Sequence, residues 1–197
     1  MERVVFVLLT SVLFLTSCAG KRVGIKGDRN IVSQERTVSG FNAIVIDGAV
    51  NVNVQHGDDC KVVVITDNNL QDFVSMELNN NVLHINTKSD TNLRPTKLIV
   101  EICLPDLKSV NIKGVSNVKI LDGNASNLEI SLSGVGNIDT QNYQVENISI
   151  NHSGVGNAKV WATNSLSGTL SGVGNISYKG SPMVNVNASG VGKVKKQ

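Results

Sequence analysis

Three histidines, three cysteines and a single tryptophan are the side chains of this 197-residue sequence most able to do chemistry, and their spacing limits what that chemistry is. His56, His84 and His152 fall in separate segments and make no His-x-x-x-His or Cys/His pair. They therefore supply no metal ligand set, and surface or turn positions are expected for all three. His152 precedes Ser153, but an Asp/His/Ser relay on a neighbouring strand is the weakest of the readings. Gly134-Val-Gly136-Asn-Ile-Asp139 has the outline of a calcium-binding turn, which needs a carboxylate in each successive turn; the equivalent positions are Lys119, Lys159 and Ser177. The same Gly-x-Gly pairs run into strand-forming sequence, where a phosphate loop needs a helix N-terminus. Neither a metal nor a cofactor is expected. Glu129 and Asp139 lie in separate strands, whereas a polysaccharide lyase or hydrolase needs clustered carboxylates. Trp161 falls on the outward parity beside inward Val160 and is the best candidate for a ligand contact, since ring faces stack on sugars. Tyr143 is expected in a turn and Tyr178 on the inward parity.

Cys18 belongs to a different context. Met1-Glu2-Arg3 precedes an apolar run from Val4 to Leu15, well short of the roughly 20 residues that span a bilayer as a helix. The run ends in Leu15-Thr16-Ser17-Cys18, which resembles a bacterial lipobox. That resemblance implies a signal segment over 1–17, removed to leave Cys18 as the acylated first residue and membrane attachment. It places the protein in a bacterial cell envelope, as an outer-membrane lipoprotein facing the periplasm or the cell surface. Residues 18–35, polar, basic and without periodicity, read as a tether.

From residue 36 to 197 the chain reads as one domain. It holds 29 Val and 24 Asn against 7 aromatic residues, an inventory of strands joined by turns. A net charge of +2 is too small for a nucleic-acid surface. The motif Ser133-Gly-Val-Gly-Asn137 recurs at 153–157 and 171–175, with degenerate copies at 113–117 and 189–193. Its leading glycines, Gly114, Gly134, Gly154, Gly172 and Gly190, are separated by 20, 20, 18 and 18 residues, one coil of a β-solenoid each. Alternating apolar residues flank every copy, so the regular coils occupy 108–197 and the motif is a corner between strands. Gly114, Gly134, Gly136, Gly154, Gly156, Gly172, Gly174 and Gly190 are needed there for positive φ or close approach of the next coil. The central Val135, Val155 and Val173 are expected to point inward. Asn117, Asn137, Asn157 and Asn175 recur at one position and are expected to stack as an amide ladder, a better use for Asn175 than glycosylation in a bacterium. Alternation puts Cys60 and Cys103 on opposite faces, which favours two separate thiols over a disulfide.

The earlier part, 36–107, carries less regular strands, a hairpin signal at Asn79-Asn80-Asn81 and one short helical possibility at 70–74. On Arg36-Thr-Val-Ser-Gly-Phe41, Val50-Asn-Val-Asn-Val54 and the Leu107-to-Asn117 entry into the repeats, the sequence resembles the head GIN domain family of adhesin-like envelope proteins. The resemblance covers about Arg36 to Lys193 and implies an all-β, right-handed parallel β-helix with no catalytic residues.

Three function classes follow. The preferred one is a non-enzymatic adhesion or surface-interaction module with an envelope glycan or protein as ligand, suited to the Ser, Asn and Thr of the rungs. A structural scaffold without a ligand and a β-helix polysaccharide-active enzyme are the alternatives.

Overall fold

The computed structural model describes residues 24–88 and 92–197; the signal segment and Cys18 lie outside the described residues. In chain order the strands are β1 (Ile25–Lys26), β2 (Ile31–Arg36), β3 (Ala43–Asp47), β4 (Asn51–His56), β5 (Lys61–Asp67), β6 (Val74–Asn79), β7 (Val82–Thr87), β8 (Leu93–Arg94) and β9 (Leu98–Leu104). The repeats continue with β10 (Ser109–Ile112), β11 (Val118–Ile120), β12 (Asn124–Leu132), β13 (Ile138–His152), β14 (Ala158–Leu170), β15 (Ile176–Lys179), β16 (Met183–Ala188) and β17 (Val194–Lys196). A 3-10 segment over Asn68–Phe73 takes the place of the short helix. The fold is all-β, with 64% of the described residues in strands of a curled sheet.

Parallel pairing dominates that sheet, and its register is the spacing of the repeats. Along one set of strands Ile44, Val110, Ile130, Ile150, Gly168 and Val186 are successive partners. Along the other set the partners are Val52, Val118, Ile138, Ala158, Ile176 and Val194. Beyond the first member, both rows step by 20, 20, 18 and 18 residues. Because strand side chains alternate, one residue of every two faces the interior at each step, and Ile112, Leu132, Leu170, Val118 and Ile138 are all buried there. Fully burying such a side chain is worth about 1.5–3 kcal/mol, so stacking identical repeats adds a similar increment each time.

The early strands depart from this pattern. β5 runs antiparallel to both β2 and β9, and β6 antiparallel to β7. Asn80 and Asn81, at φ 49° and 63°, close the β6–β7 hairpin by the two-residue turn that Asn tolerates.

Three expectations need correcting. The tether assigned to 18–35 is, from Gly24 onward, built into the fold: β1 pairs with β8, and β2 lies along β5. Its low periodicity reflects an edge strand, of which only Val32 and Arg36 are partly covered. The valines of the repeat motif do not point inward; Val135, Val155 and Val173 are each 49% exposed. Gly154 and Gly172 take the buried positions, because only a hydrogen atom fits between adjacent turns, and this forces the following valine outward. Tyr143 sits in β13 with 2% exposure, packed in the core.

Candidate functional site

The repeat motif builds the most regular surface of the molecule. In the copy at 153–157, the amides of Ser153 and Gly154 both donate to the Leu132 carbonyl, at 2.9 and 2.8 Å. Val155 N then donates to Gly134 O and Gly156 N to Val173 O, each at 2.9 Å, so the turn is bonded to the repeats on both sides. A Cβ on Gly154 would overlap the Gly134 carbonyl oxygen. Gly156 has φ 148°, and a Cβ there would overlap the Gly136 carbonyl oxygen. Gly114, Gly134, Gly136, Gly172, Gly174 and Gly190 meet the preceding turn in the same way.

Two parallel rows result. The outer one is apolar: Val115, Val135, Val155, Val173 and Val191 are bridged in succession and all exposed, with Ala49 at its head. The second is the amide row. Asn137 donates to Asn117 Oδ1 from its backbone N at 3.1 Å and from Nδ2 at 2.9 Å; Asn157 repeats this on Asn137 at 2.9 and 3.3 Å, and Asn175 on Asn157 at 3.0 and 3.3 Å. Each bridging oxygen thus accepts twice, while each Nδ2 spends one of its two hydrogens inside the row and keeps the other for a ligand or water. Lys193 continues the row through its backbone N only.

Asn51 begins this row, accepting from Asn117 N and Nδ2 at 3.1 Å, and sequence reasoning missed it. The signal was present. Gly48-Ala49-Val50-Asn51 aligns in register with Gly114-Val115-Ser116-Asn117, but it stands 66 residues upstream, outside the period of 18 to 20.

Beside the amide row runs a column of Lys119, Asp139, Lys159, Ser177 and Lys195, register partners in turn. Asn137, Asn157, Asn175, Asp139, Lys159 and Lys195 line an open groove of about 390 Å³ between them. Trp161 lies farther along, half-buried, with Lys179 Nζ 3.6 Å from its ring centroid. That ammonium also donates to the Gln141 carbonyl at 3.4 Å, so it is held over the indole, a cation–π contact worth about 0.5–1 kcal/mol at such a site. One face of the best ligand-contact candidate is therefore covered. The other set of parallel strands presents Ser131, Ser149, Asn151, Thr169, Asn185 and Asn187, with Thr169 Oγ1 donating to Asn151 Oδ1 at 3.1 Å.

The remaining chemical side chains are dispersed. His152 is fully buried, not at a surface or turn, in a column between Leu132 and Leu170. Its Nε2 lies 2.7 Å from the Gly156 carbonyl, and Nδ1 has no partner. His56 is exposed and His84 partly so. Cys60 and Cys103 are free thiols, each partly buried. Burial and the nearby Asp59 and Asp122 carboxylates push the Cys103 thiol up, which lowers its thiolate fraction and reactivity. Burial also raises the Tyr143 pKa, against a hydrogen bond with the Leu107 backbone. Among the described residues no three His, Cys, Asp or Glu side chains gather as a metal site.

A family model described as putative auto-transporter adhesin, head GIN domain, matches residues 40–120 and again 109–182. The chain belongs to the head GIN domain family. The two overlapping matches divide this head GIN chain near the start of β10, where the regular repeats begin. A solved structure of a putative adhesin from Bacteroides fragilis is similar to it with a TM-score of 0.64 at 22% identity, covering 88% of this chain and 100% of its own. A structure titled putative lipid binding protein, from Parabacteroides distasonis, follows with a TM-score of 0.55 at 22% identity over 88% of this chain and 99% of its own. At that identity the likeness is one of fold. No curated protein matches the sequence.

Proposed function

We propose that this head GIN chain is a non-enzymatic adhesion module of the bacterial envelope, binding an extended glycan or envelope protein along its repeat surface. In this reading the parallel ladders are coils of a right-handed β-helix. Cleavage after residue 17 and acylation of Cys18 hold it on the outer membrane, facing the periplasm or cell surface. The observation that carries the proposal is the pairing of an exposed valine row with an amide row whose spare N–H donors recur at every repeat. Such a surface offers apolar contact and hydrogen bonding at a spacing of about 4.8 Å, suited to a polymer lying along it. The family's adhesin description and the adhesin named in Bacteroides fragilis point the same way.

Binding of the full chain to arrays of envelope polysaccharides and to outer-membrane proteins tests this. Val135→Asp with Val173→Asp, which are not neighbours in the row, should abolish binding at a stability cost of less than about 2 kcal/mol in urea melts, and Trp161→Ala should weaken it. Absence of any ligand across both arrays leaves a scaffold role, and depolymerisation lost with one Asp, Glu or His substitution makes the protein an enzyme. Fatty-acid labelling that disappears with Cys18→Ala tests the anchor; equal labelling refutes it.

A further inference from the structure

The segment from Gly24 to Asn30 is strapped beside the early strands, bonded to β8, to Asp67 at the end of β5 and to Asn69. β1 and β8 form a two-stranded parallel pair whose register sets Lys26 directly beside Arg94, both exposed. Among the described residues neither cation has a carboxylate within ion-pair distance. Like charges side by side on one face of a strand pair repel, and an anion set against both would relieve that repulsion. Arg29 joins them on a backbone at φ 67°, a conformation in which a bulky side chain is rare.

This strap is braced rather than loose. Asp67 is buried and its carboxylate accepts from Arg29 N at 2.8 Å and Thr96 N at 2.7 Å. The Asp67 charge is thereby spent on backbone amides of the strap and of the β8–β9 connection, leaving the guanidinium of Arg29 to face solvent. Asn69 adds bonds at both ends, Nδ2 to Lys26 O at 2.9 Å and Oδ1 from Asp28 N at 3.0 Å. Lys26 and Arg94 are thus held side by side on a braced strap, with Asp28 and Arg29 exposed in the loop that follows, so the segment carries three cations against one carboxylate.

We propose that the Lys26, Arg29 and Arg94 face docks onto anionic phospholipid headgroups. The chain outside the structure argues for that partner. Cys18 precedes Gly24 by six residues, at most about 22 Å of extended chain, so an acylated Cys18 keeps this face within reach of the bilayer surface. That part rests on the proposed anchor; the charge complementarity does not.

The test adds the full-length, unacylated chain to vesicles of equal parts phosphatidylcholine and phosphatidylglycerol, and to phosphatidylcholine alone. Lys26→Gln with Arg94→Gln should lower partitioning onto anionic vesicles about twenty-five-fold, roughly fivefold per cation, and leave partitioning onto neutral vesicles unchanged. Arg29→Gln alone, in an exposed loop, should give about fivefold and serves if the double variant loses its urea midpoint. Hydrogen exchange should slow at 25–29 and 93–94 on anionic vesicles only. Equal partitioning of variants and parent, or equal protection on both vesicle types, overturns the proposal. Because the unacylated chain is used, absence of fatty-acid labelling in cells defeats the anchor and leaves this result standing.

Discussion

Gly156→Ala isolates the contact that sets the distance between repeats. Two costs combine. Holding an alanine at φ 148° strains the backbone by about 1–3 kcal/mol. The new Cβ also overlaps the Gly136 carbonyl, and the two turns must separate, weakening the bonds between them, Gly136 N to Val155 O and Val155 N to Gly134 O, both 2.9 Å, at about 1 kcal/mol each. The sum, about 3–5 kcal/mol, is a large share of the 5–15 kcal/mol typical of a whole domain. Gly40→Ala separates the two costs, because Gly40 has φ 79° and nothing lies within 4 Å of the place its methyl group would occupy; it should lose only about 1–2 kcal/mol. Val155→Asp, half exposed, should lose less than about 1 kcal/mol. Urea melts followed by circular dichroism measure all three. Gly156→Ala melting with the parent, or Val155→Asp proving the most damaging, would refute the packing argument.

Two further outcomes follow from buried polar groups. Burial works to raise the Asp67 pKa, but the Thr96 and Arg29 amides and the Thr96 side chain outweigh it and hold the carboxyl below its ordinary value of 3.8. A depressed folded pKa contributes stability that is present above the unfolded value and lost as pH falls through the folded one. Hydrogen exchange at 25–30 should therefore accelerate below about pH 4, and Asp67→Asn should flatten that pH dependence; an unchanged acid response in the variant contradicts the bracing role. His152→Leu matches its column neighbours and removes an unpartnered buried nitrogen while giving up the 2.7 Å contact to Gly156 O, so its urea midpoint should stay within about 1 kcal/mol of the parent. A loss above about 3 kcal/mol would show that the imidazole holds the turn.

The parts of this structure that follow from nearest-repeat chemistry were legible in the sequence. The spacing of Gly114, Gly134, Gly154, Gly172 and Gly190 reappears unchanged as the strand register, and the asparagines of the motif do meet their counterparts one repeat away. What escaped was set by contacts between distant segments or by broken alternation. Val155 was misplaced because parity fails within a turn whose inner side admits only glycine. Residues 24–36 carry no periodicity, and their place in the fold depends on Asp67 and Asn69, about 40 positions away. His152 reads as polar, yet its parity with Leu132 and Leu170 put it in the core.

The uniform stacking from Gly114 to Gly190 also bears on how this chain can change length. Each turn touches its neighbours through the same backbone groups, so whole repeats are interchangeable units. Deleting 153–170 joins His152 to Ser171 and sets the next turn on Gly134, whereas inserting one residue in 147–152, where the pairing of β13 with β14 is unbroken, turns the buried side chains there outward. Genes for such chains should therefore tolerate gain and loss in steps of 18 or 20 codons and reject single-codon changes in the stretches where the pairing is unbroken, such as 147–152.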